Sequence, residues 1–132
     1  MKILGLDIGQ RRIGVAMAEG KIASSLDIIE MADLTLAVAE VSQIVRAENI
    51  EKIIIGIPKN QDTLQADKIH KFAMELAKVI NLPIEYIDET LTSKEAERIL
   101  SSSGLEPTSE KYKEEVDKIS AKLILEQYIN KD

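Results

Sequence analysis

Three acidic residues lie where the surrounding sequence is apolar. Asp7 lies at the end of the strand-like run 2–8, Glu89 follows the apolar segment 84–87, and Asp117 opens the apolar pattern of the last helix. Carboxylates are rarely buried unless they are paired or bind a metal, because an ionised group loses several kcal/mol of solvation there. If the fold gathers the three side chains, they form an all-oxygen cation site.

The chemistry of such a site follows from its donors. The chain has no cysteine, and hard oxygen ligands favour Mg²⁺ or Mn²⁺ over Zn²⁺. Two such ions, about 3.5–4 Å apart, can activate water and stabilise the leaving oxygen of an in-line phosphoryl displacement. Asp7, Glu89 and Asp117 are therefore candidate metal ligands and catalytic residues for phosphodiester hydrolysis.

Each acid also has an ordinary structural explanation. Asp7 precedes Ile8-Gly9 and could end a strand at a turn. Glu89 could begin a solvated loop together with Asp88. Asp117 lies early in a helix, where the helix dipole favours an acid. The three acids taken by themselves leave these alternatives open.

The hydrophobic pattern predicts the elements that must position the acids. Two capping boxes, Asp62 with Gln65 and Thr92 with Glu95, mark helix starts. The predicted strands are 2–8, 12–18, 22–29, 52–57 and 83–87, and the predicted helices are 34–48, 62–79, 92–100 and 112–129. An antiparallel meander followed by alternating strands and helices builds an α/β fold, a mixed five-stranded sheet flanked by helices.

Composition limits the class of protein. The 132 residues are expected to form a single domain, 1–132, with a core of Ile, Leu, Val and Ala, since aromatic residues are few. No apolar run approaches the ~20 residues needed to span a bilayer, and the start of the chain does not resemble a signal peptide. We therefore expect a cytoplasmic protein with no membrane partner. The net charge of −6 argues mildly against nucleic acid, but bound metal would neutralise three of the acids.

Four blocks of the sequence together resemble one family. The blocks are Gly5-Leu6-Asp7-Ile8-Gly9 with residues 11–16, Ile55-Gly56-Ile57-Pro58 followed by Asn60 and Asp62, Asp88-Glu89 with residues 91–96, and residues 116–128. In this order they resemble the YqgF/RuvX family, relatives of the RuvC Holliday-junction resolvases with an RNase H-like fold. The resemblance spans nearly the whole chain.

The resemblance implies a metal-dependent nuclease with Asp7, Glu89 and Asp117 as its acidic triad. It further implies processing of the 5′ end of pre-16S ribosomal RNA in ribosome biogenesis, resolution of Holliday junctions, or both. Three departures from the family pattern leave the triad intact, although Thr90 removes a potential phosphate contact and the shortened loop after Asp62 could alter the grip on the substrate. Gln10 replaces a small hydroxyl residue, Thr90 replaces an arginine, and the glycine after Asp62 is missing.

The residues that would grip a nucleic acid are expected beside the triad. Arg11 and Arg12 lie on the first hairpin, and Lys59 and Asn60 follow the central strand. A solvated turn would explain the two arginines equally well. The partner is expected to be an rRNA precursor or branched DNA, with the protein acting as a monomer or a homodimer, because paired cuts in a junction need two sites.

Two other functions compete with a nuclease. The Asp7-x-Gly9 hairpin also resembles the first phosphate loop of sugar kinases, actin and Hsp70, which need at least ~300 residues to form a cleft between two domains. A non-catalytic nucleic-acid, ribosome-assembly or transcription module of the same fold is the second alternative. Three gathered acids argue against that module, because like charges repel the phosphates it would bind.

Overall fold

The fold is built on one mixed sheet. The computed structural model describes residues 1–59, 63–89 and 92–131. Its elements are β1 (Lys2–Ile8), β2 (Arg12–Glu19), β3 (Ile22–Glu30), α1 (Leu34–Ala47), β4 (Lys52–Ile57), α2 (Leu64–Ala77), β5 (Ile84–Asp88), α3 (Thr92–Leu100) and α4 (Glu110–Asn130). The strand order is β3-β2-β1-β4-β5, with β1, β2 and β3 antiparallel and β4 and β5 parallel to β1. The predicted order of elements and the mixed five-stranded sheet are confirmed.

Helices cover both faces of the sheet. The larger apolar core joins α1 and α2 to one face, and its β4 members include Ile53 and Ile55. On the opposite face Ile54 of β4 packs with Ile124 and Leu125 of α4. Alternate residues of a strand point to opposite faces, so the continuous apolar run of β4 reflects its burial from both sides.

Helix α4 is attached to the sheet along its length. Small side chains of β2, Ala16 and Ala18, lie against it and allow a close approach. Near its C-terminal end the Tyr128 hydroxyl accepts a hydrogen bond from Lys52 Nζ at 2.8 Å and donates one to Glu85 Oε2 at 3.2 Å. This polar contact ties the end of α4 to β4 and β5.

Both predicted capping boxes are wrong in detail. Helix α2 is capped by Thr63, whose hydroxyl accepts a hydrogen bond from Ala66 N at 3.0 Å, and Asp62 lies outside the described residues. Gln65 instead donates from Nε2 to the carbonyl oxygen of Ile8 at 2.6 Å. Gln65 thus makes a tertiary contact to the end of β1 that the local pattern did not predict.

The start of α3 differs in the same way. The Thr92 hydroxyl donates to the Glu89 carbonyl oxygen at 3.0 Å rather than accepting from its own helix. Glu95 accepts a hydrogen bond from Arg98 Nε at 3.1 Å. Thr92 is buried, so its hydroxyl holds the backbone of Glu89 in place. Among the described residues, no helix combines the length and apolar character needed to cross a membrane.

Candidate active site

The site begins where α4 crosses β2 in direct backbone contact. Gly14 pairs with Asp7 in the antiparallel register of β1 and β2. A Cβ atom built on Gly14 would lie 2.0 Å from the backbone carbonyl oxygen of Asp117. Only glycine therefore lets the helix approach this closely, and the approach places Asp117 beside Asp7.

A second glycine makes room for Glu89. Leu6 pairs with Ile55 in the parallel register of β1 and β4, so Gly56 is the next position beside Asp7. A Cβ atom on Gly56 would lie 2.8 Å from Glu89 Oε2. The Glu89 side chain therefore folds back over β4 towards β1, while its N–H donates to the Ile57 carbonyl oxygen at 3.0 Å.

The three acids interact electrostatically through Asp7. Burial, the charge of Glu89 and a hydrogen bond between the two carboxyl groups raise the pKa of Asp7 well above its usual range. Burial also raises the pKa of Glu89. It is unfavourable for two close carboxyl groups to be ionised at the same time. Without a cation, Asp7 and Glu89 therefore favour holding one proton between them.

Asp117 joins this cluster from α4. Burial, followed by the negative charge of Asp7, raises the pKa of Asp117 to about 6, although Arg12 acts in the opposite direction. Its side chain is 25% exposed, so one edge of the carboxylate still faces solvent. The structure thus places all three predicted acids in one electrostatic cluster.

Arg12 lies inside this cluster rather than on an open turn. It is only 8% exposed, and its Nη1 lies 3.4 Å from Asp117 Oδ2 while its Nη2 lies 2.7 Å from Glu110 Oε2. Arg12 and Gly14 are alternate residues of β2 and so face α4 together. The guanidinium therefore bridges two turns of α4 and holds the carboxylate of Asp117.

The other residues predicted to contact nucleic acid lie outside the acidic cluster. The Arg11 side chain is 70% exposed, with Nη1 3.5 Å from Glu110 Oε1. Lys59 is exposed and lines a groove of about 860 Å³ beside Asp88, Thr92 and α4. Asn60 lies outside the described residues. Arg11 thus lies beside the contact between Arg12 and Glu110, and Lys59 lies in the groove next to Asp88.

Comparison with known proteins shows the family to which the chain belongs. The family model described as "RuvX: Holliday junction resolvase" matches residues 1–131. The chain belongs to the RuvX family. Its four sequence blocks therefore reflect membership, and a hydrolase of the nuclease type is supported for this RuvX chain.

Relatives of this RuvX chain share nearly its whole length. A protein of Chloroflexus aggregans is 38% identical over 133 residues, covering 97% of this chain and 92% of the relative. One of Syntrophus aciditrophicus is 40% identical over 135 residues, covering 98% and 89%. Both relatives carry the name "Putative pre-16S rRNA nuclease".

Solved structures establish the fold of the RuvX chain. Thermus thermophilus RuvC in complex with a Holliday junction substrate matches with a TM-score of 0.58 at 13% identity, covering 98% of this chain and 96% of RuvC. The fowlpox virus resolvase with Holliday junction DNA matches with a TM-score of 0.55 at 12% identity, covering 99% and 100%. The predicted RNase H-like fold is confirmed.

Sequence reasoning missed the groups that support the triad. Gly14 and Gly56 lie within the family blocks, but the room that they leave for Asp117 and Glu89 depends on tertiary contact. Glu110 was not singled out at all. A single acid at the first position of a helix is common, so nothing in the sequence marked it as the partner of Arg12.

The raised pKa of Asp117 predicts how stability changes with pH. Its ordinary value is 3.8, so the folded state binds this proton more tightly, and stability falls as pH rises from about 4 to about 6. In EDTA, Asp117→Asn should therefore be more stable than wild type at pH 8, by at most about 3 kcal/mol. That difference should shrink towards zero near pH 4.

Urea unfolding of both proteins across this pH range measures the effect. Glu97→Gln, on the exposed side of α3, is the matched control, because it removes one negative charge away from the cluster. An Asp117→Asn variant that is less stable than wild type at pH 8 would contradict the repulsion argument.

Proposed function

We propose that this chain is a metal-dependent endonuclease that hydrolyses phosphodiester bonds in structured nucleic acid. One observation carries the proposal: Asp7 interacts electrostatically with both Glu89 and Asp117, which come from distant parts of the chain. Raised pKa values at all three carboxyl groups, with burial as the largest cause, are typical of catalytic sites. Membership of the RuvX family supports the same activity.

The donor set fits a hard divalent cation. Asp7, Glu89 and Asp117 offer only oxygen atoms, which suit Mg²⁺ or Mn²⁺. Among the described residues, no three metal-binding side chains are yet close enough together to hold an ion. A bound cation would replace the proton that Asp7 and Glu89 favour holding between them. When bound, the metal would supply an activated water and stabilise the leaving oxygen.

The chain's own residues position these groups. Gly14 and Gly56 admit Asp117 and Glu89, and Arg12 holds one oxygen of Asp117. Such fixed geometry matters because a misplacement of 1 Å can lower a rate by roughly 10²-fold. Arg11 and Lys59 would contact backbone phosphates, which bind without reading sequence. Recognition would then depend on the shape of the nucleic acid.

The proposed substrate follows the relatives and the structural neighbours. Curated relatives are named for pre-16S rRNA, and the RuvC and fowlpox structures contain Holliday junctions. We therefore propose processing of the 5′ end of pre-16S rRNA, resolution of Holliday junctions, or both, in the cytoplasm. Paired cuts in a junction would require a homodimer, whereas RNA processing can be carried out by a monomer of the single domain 1–132.

Cleavage by the purified protein tests the proposal. A four-way DNA junction, a matched linear duplex and an RNA spanning the 5′ leader of 16S rRNA are each incubated with Mg²⁺, Mn²⁺ or EDTA. We expect metal-dependent cuts in the junction or the leader RNA, and none in EDTA. A non-catalytic binding module would shift these substrates on a gel but leave all of them intact.

Metal binding should also raise thermal stability. A cation relieves the repulsion among the three carboxylates, and at 100 times its Kd a ligand adds about 2.7 kcal/mol. For a chain of this size, we expect saturating Mn²⁺ to raise Tm by roughly 5–10 °C. Differential scanning fluorimetry measures the shift, with Ala substituted for Asp7 as the variant in which it should largely disappear. A wild-type Tm that millimolar Mn²⁺ leaves unmoved would contradict the metal site.

A further inference from the structure

Glu110 bridges the two arginines of the first hairpin. Its Oε2 lies 2.7 Å from Arg12 Nη2, and its Oε1 lies 3.5 Å from Arg11 Nη1. Glu110 is the first residue of α4, directly after the cap Ser109. One carboxylate therefore uses one oxygen for each guanidinium, and it covers the buried Arg12 from the solvent side.

This arrangement has the features of a phosphate site. Two guanidinium groups face one oxyanion here: Arg12 makes a charge-assisted bond of 2.7 Å to it, and the exposed Arg11 lies 3.5 Å from its other oxygen, so a phosphate could take the place of the carboxylate. The N-terminal end of a helix also favours an anion, because unpaired N–H groups and the helix dipole are positive there. A third observation is independent of both: Arg12 Nε is buried and has no hydrogen-bond partner among the residues that the structure describes.

The position of this site connects it to the acids. Arg12 Nη1 lies 3.4 Å from Asp117 Oδ2, so an anion on the arginine pair would be adjacent to the triad. A nucleic acid with one phosphate at the triad would present a neighbouring phosphate near this point. The Glu110 side chain is 57% exposed and can turn into solvent, whereas Arg12 remains held by Asp117.

We propose that Glu110 occupies a phosphate site formed by Arg11, Arg12 and the start of α4, and that nucleic acid must displace its carboxylate to bind there. This inference rests on the proposed nuclease function. The consequence is a competition built into the fold. The Glu110 carboxylate weakens the binding of every polyanion, and only a substrate that makes several phosphate contacts binds tightly enough to displace it.

Replacing the carboxylate by an uncharged amide tests the competition. Affinities of Glu110→Gln and wild type are measured in EDTA for a labelled single-stranded RNA and a four-way DNA junction at several salt concentrations. We expect Glu110→Gln to bind roughly three- to tenfold more tightly. One additional phosphate contact should make the salt slope for the RNA steeper by about 0.7. Glu110→Ala should give the same result.

Two controls separate competition from a general change in charge. Glu106→Gln removes one negative charge from the turn before α4, and Glu106 makes no ion pair among the described residues, so its effect should stay below roughly twofold. In the double variant that combines Arg11→Ala with Glu110→Gln, most of the gain in affinity should disappear, because the phosphate no longer contacts the exposed arginine of the pair.

The outcomes distinguish this inference from the proposed function. The competition would be overturned if Glu110→Gln bound RNA and junction no better than Glu106→Gln, or if the gain in affinity survived in full without Arg11. Binding of the same nucleic acids by wild type would then still support the proposed function. If neither wild type nor any variant bound RNA or junction, the proposed function itself would fail, and this inference with it.

Discussion

Asp7→Asn should abolish cleavage while leaving the protein folded. Asp7 is the acid that interacts with both other members of the triad, so its loss removes the charge at the centre of the cluster. We expect the rate of cleavage to fall by at least roughly 10²–10³-fold, the loss that follows removal of a principal electrostatic group. In EDTA the variant should be no less stable than wild type, because a neutral amide replaces a carboxyl group whose ionisation burial and Glu89 make unfavourable.

Asp27→Asn is the matched control for this experiment. Asp27 is exposed on β3, and its carboxylate accepts a hydrogen bond from Ile28 N that an asparagine oxygen can accept equally well. It should cleave at the wild-type rate. Rates are compared on the substrate that wild type cuts, with circular dichroism as the measure of folding. A folded Asp7→Asn protein of undiminished activity would rule out the triad.

The second large effect is expected at Gly14, where a single methyl group should displace a helix. A Cβ atom there would lie 2.0 Å from the Asp117 carbonyl oxygen, a backbone atom that cannot rotate away. Helix α4 must therefore move off β2, and we expect Gly14→Ala to lose about 1–3 kcal/mol of stability or more. Any folded protein should also cleave at least roughly 10²-fold more slowly, because Asp117 moves with the helix.

Alanine variants at two other glycines distinguish a clash with the backbone from a clash with side chains and from backbone strain. An alanine at Gly56 would meet Ile124 Cδ1 at 2.5 Å and Glu89 Oε2 at 2.8 Å, both at the flexible ends of side chains. We therefore expect Gly56→Ala to lose less stability than Gly14→Ala. Gly20 has a φ of +64° and open space around it, so Gly20→Ala should lose about 1–2 kcal/mol through backbone strain alone and keep its activity.

Urea unfolding and cleavage rates are measured for all three variants. If Gly14→Ala were as stable and as active as wild type, the close contact between α4 and β2 would not be what positions Asp117. Loss of activity in Gly20→Ala would mean that the assay reports general instability rather than the geometry of the site.

The sequence by itself determined the order of elements and singled out three acidic residues as candidates for the site. Apolar periodicity reports which residues avoid water, and this was enough to predict that β4 is buried on both faces and that Asp117 shares a face of α4 with Ala121 and Ile124. Carboxylates interrupting such patterns stand out because burying them is unfavourable. The acids could therefore be identified without knowledge of how the elements pack.

Only the tertiary structure decided which side chains support those acids. Arg12 and Glu110 are 98 residues apart in sequence, and their contact exists because α4 crosses β2 where glycine permits backbone contact. The helix starts show the same limit, since Thr63 rather than Asp62 caps α2 and the Thr92 hydroxyl bonds to Glu89 instead of to its own helix. Local patterns describe preferences of neighbouring residues, whereas the partner of a buried polar group depends on which distant group the packing brings within reach.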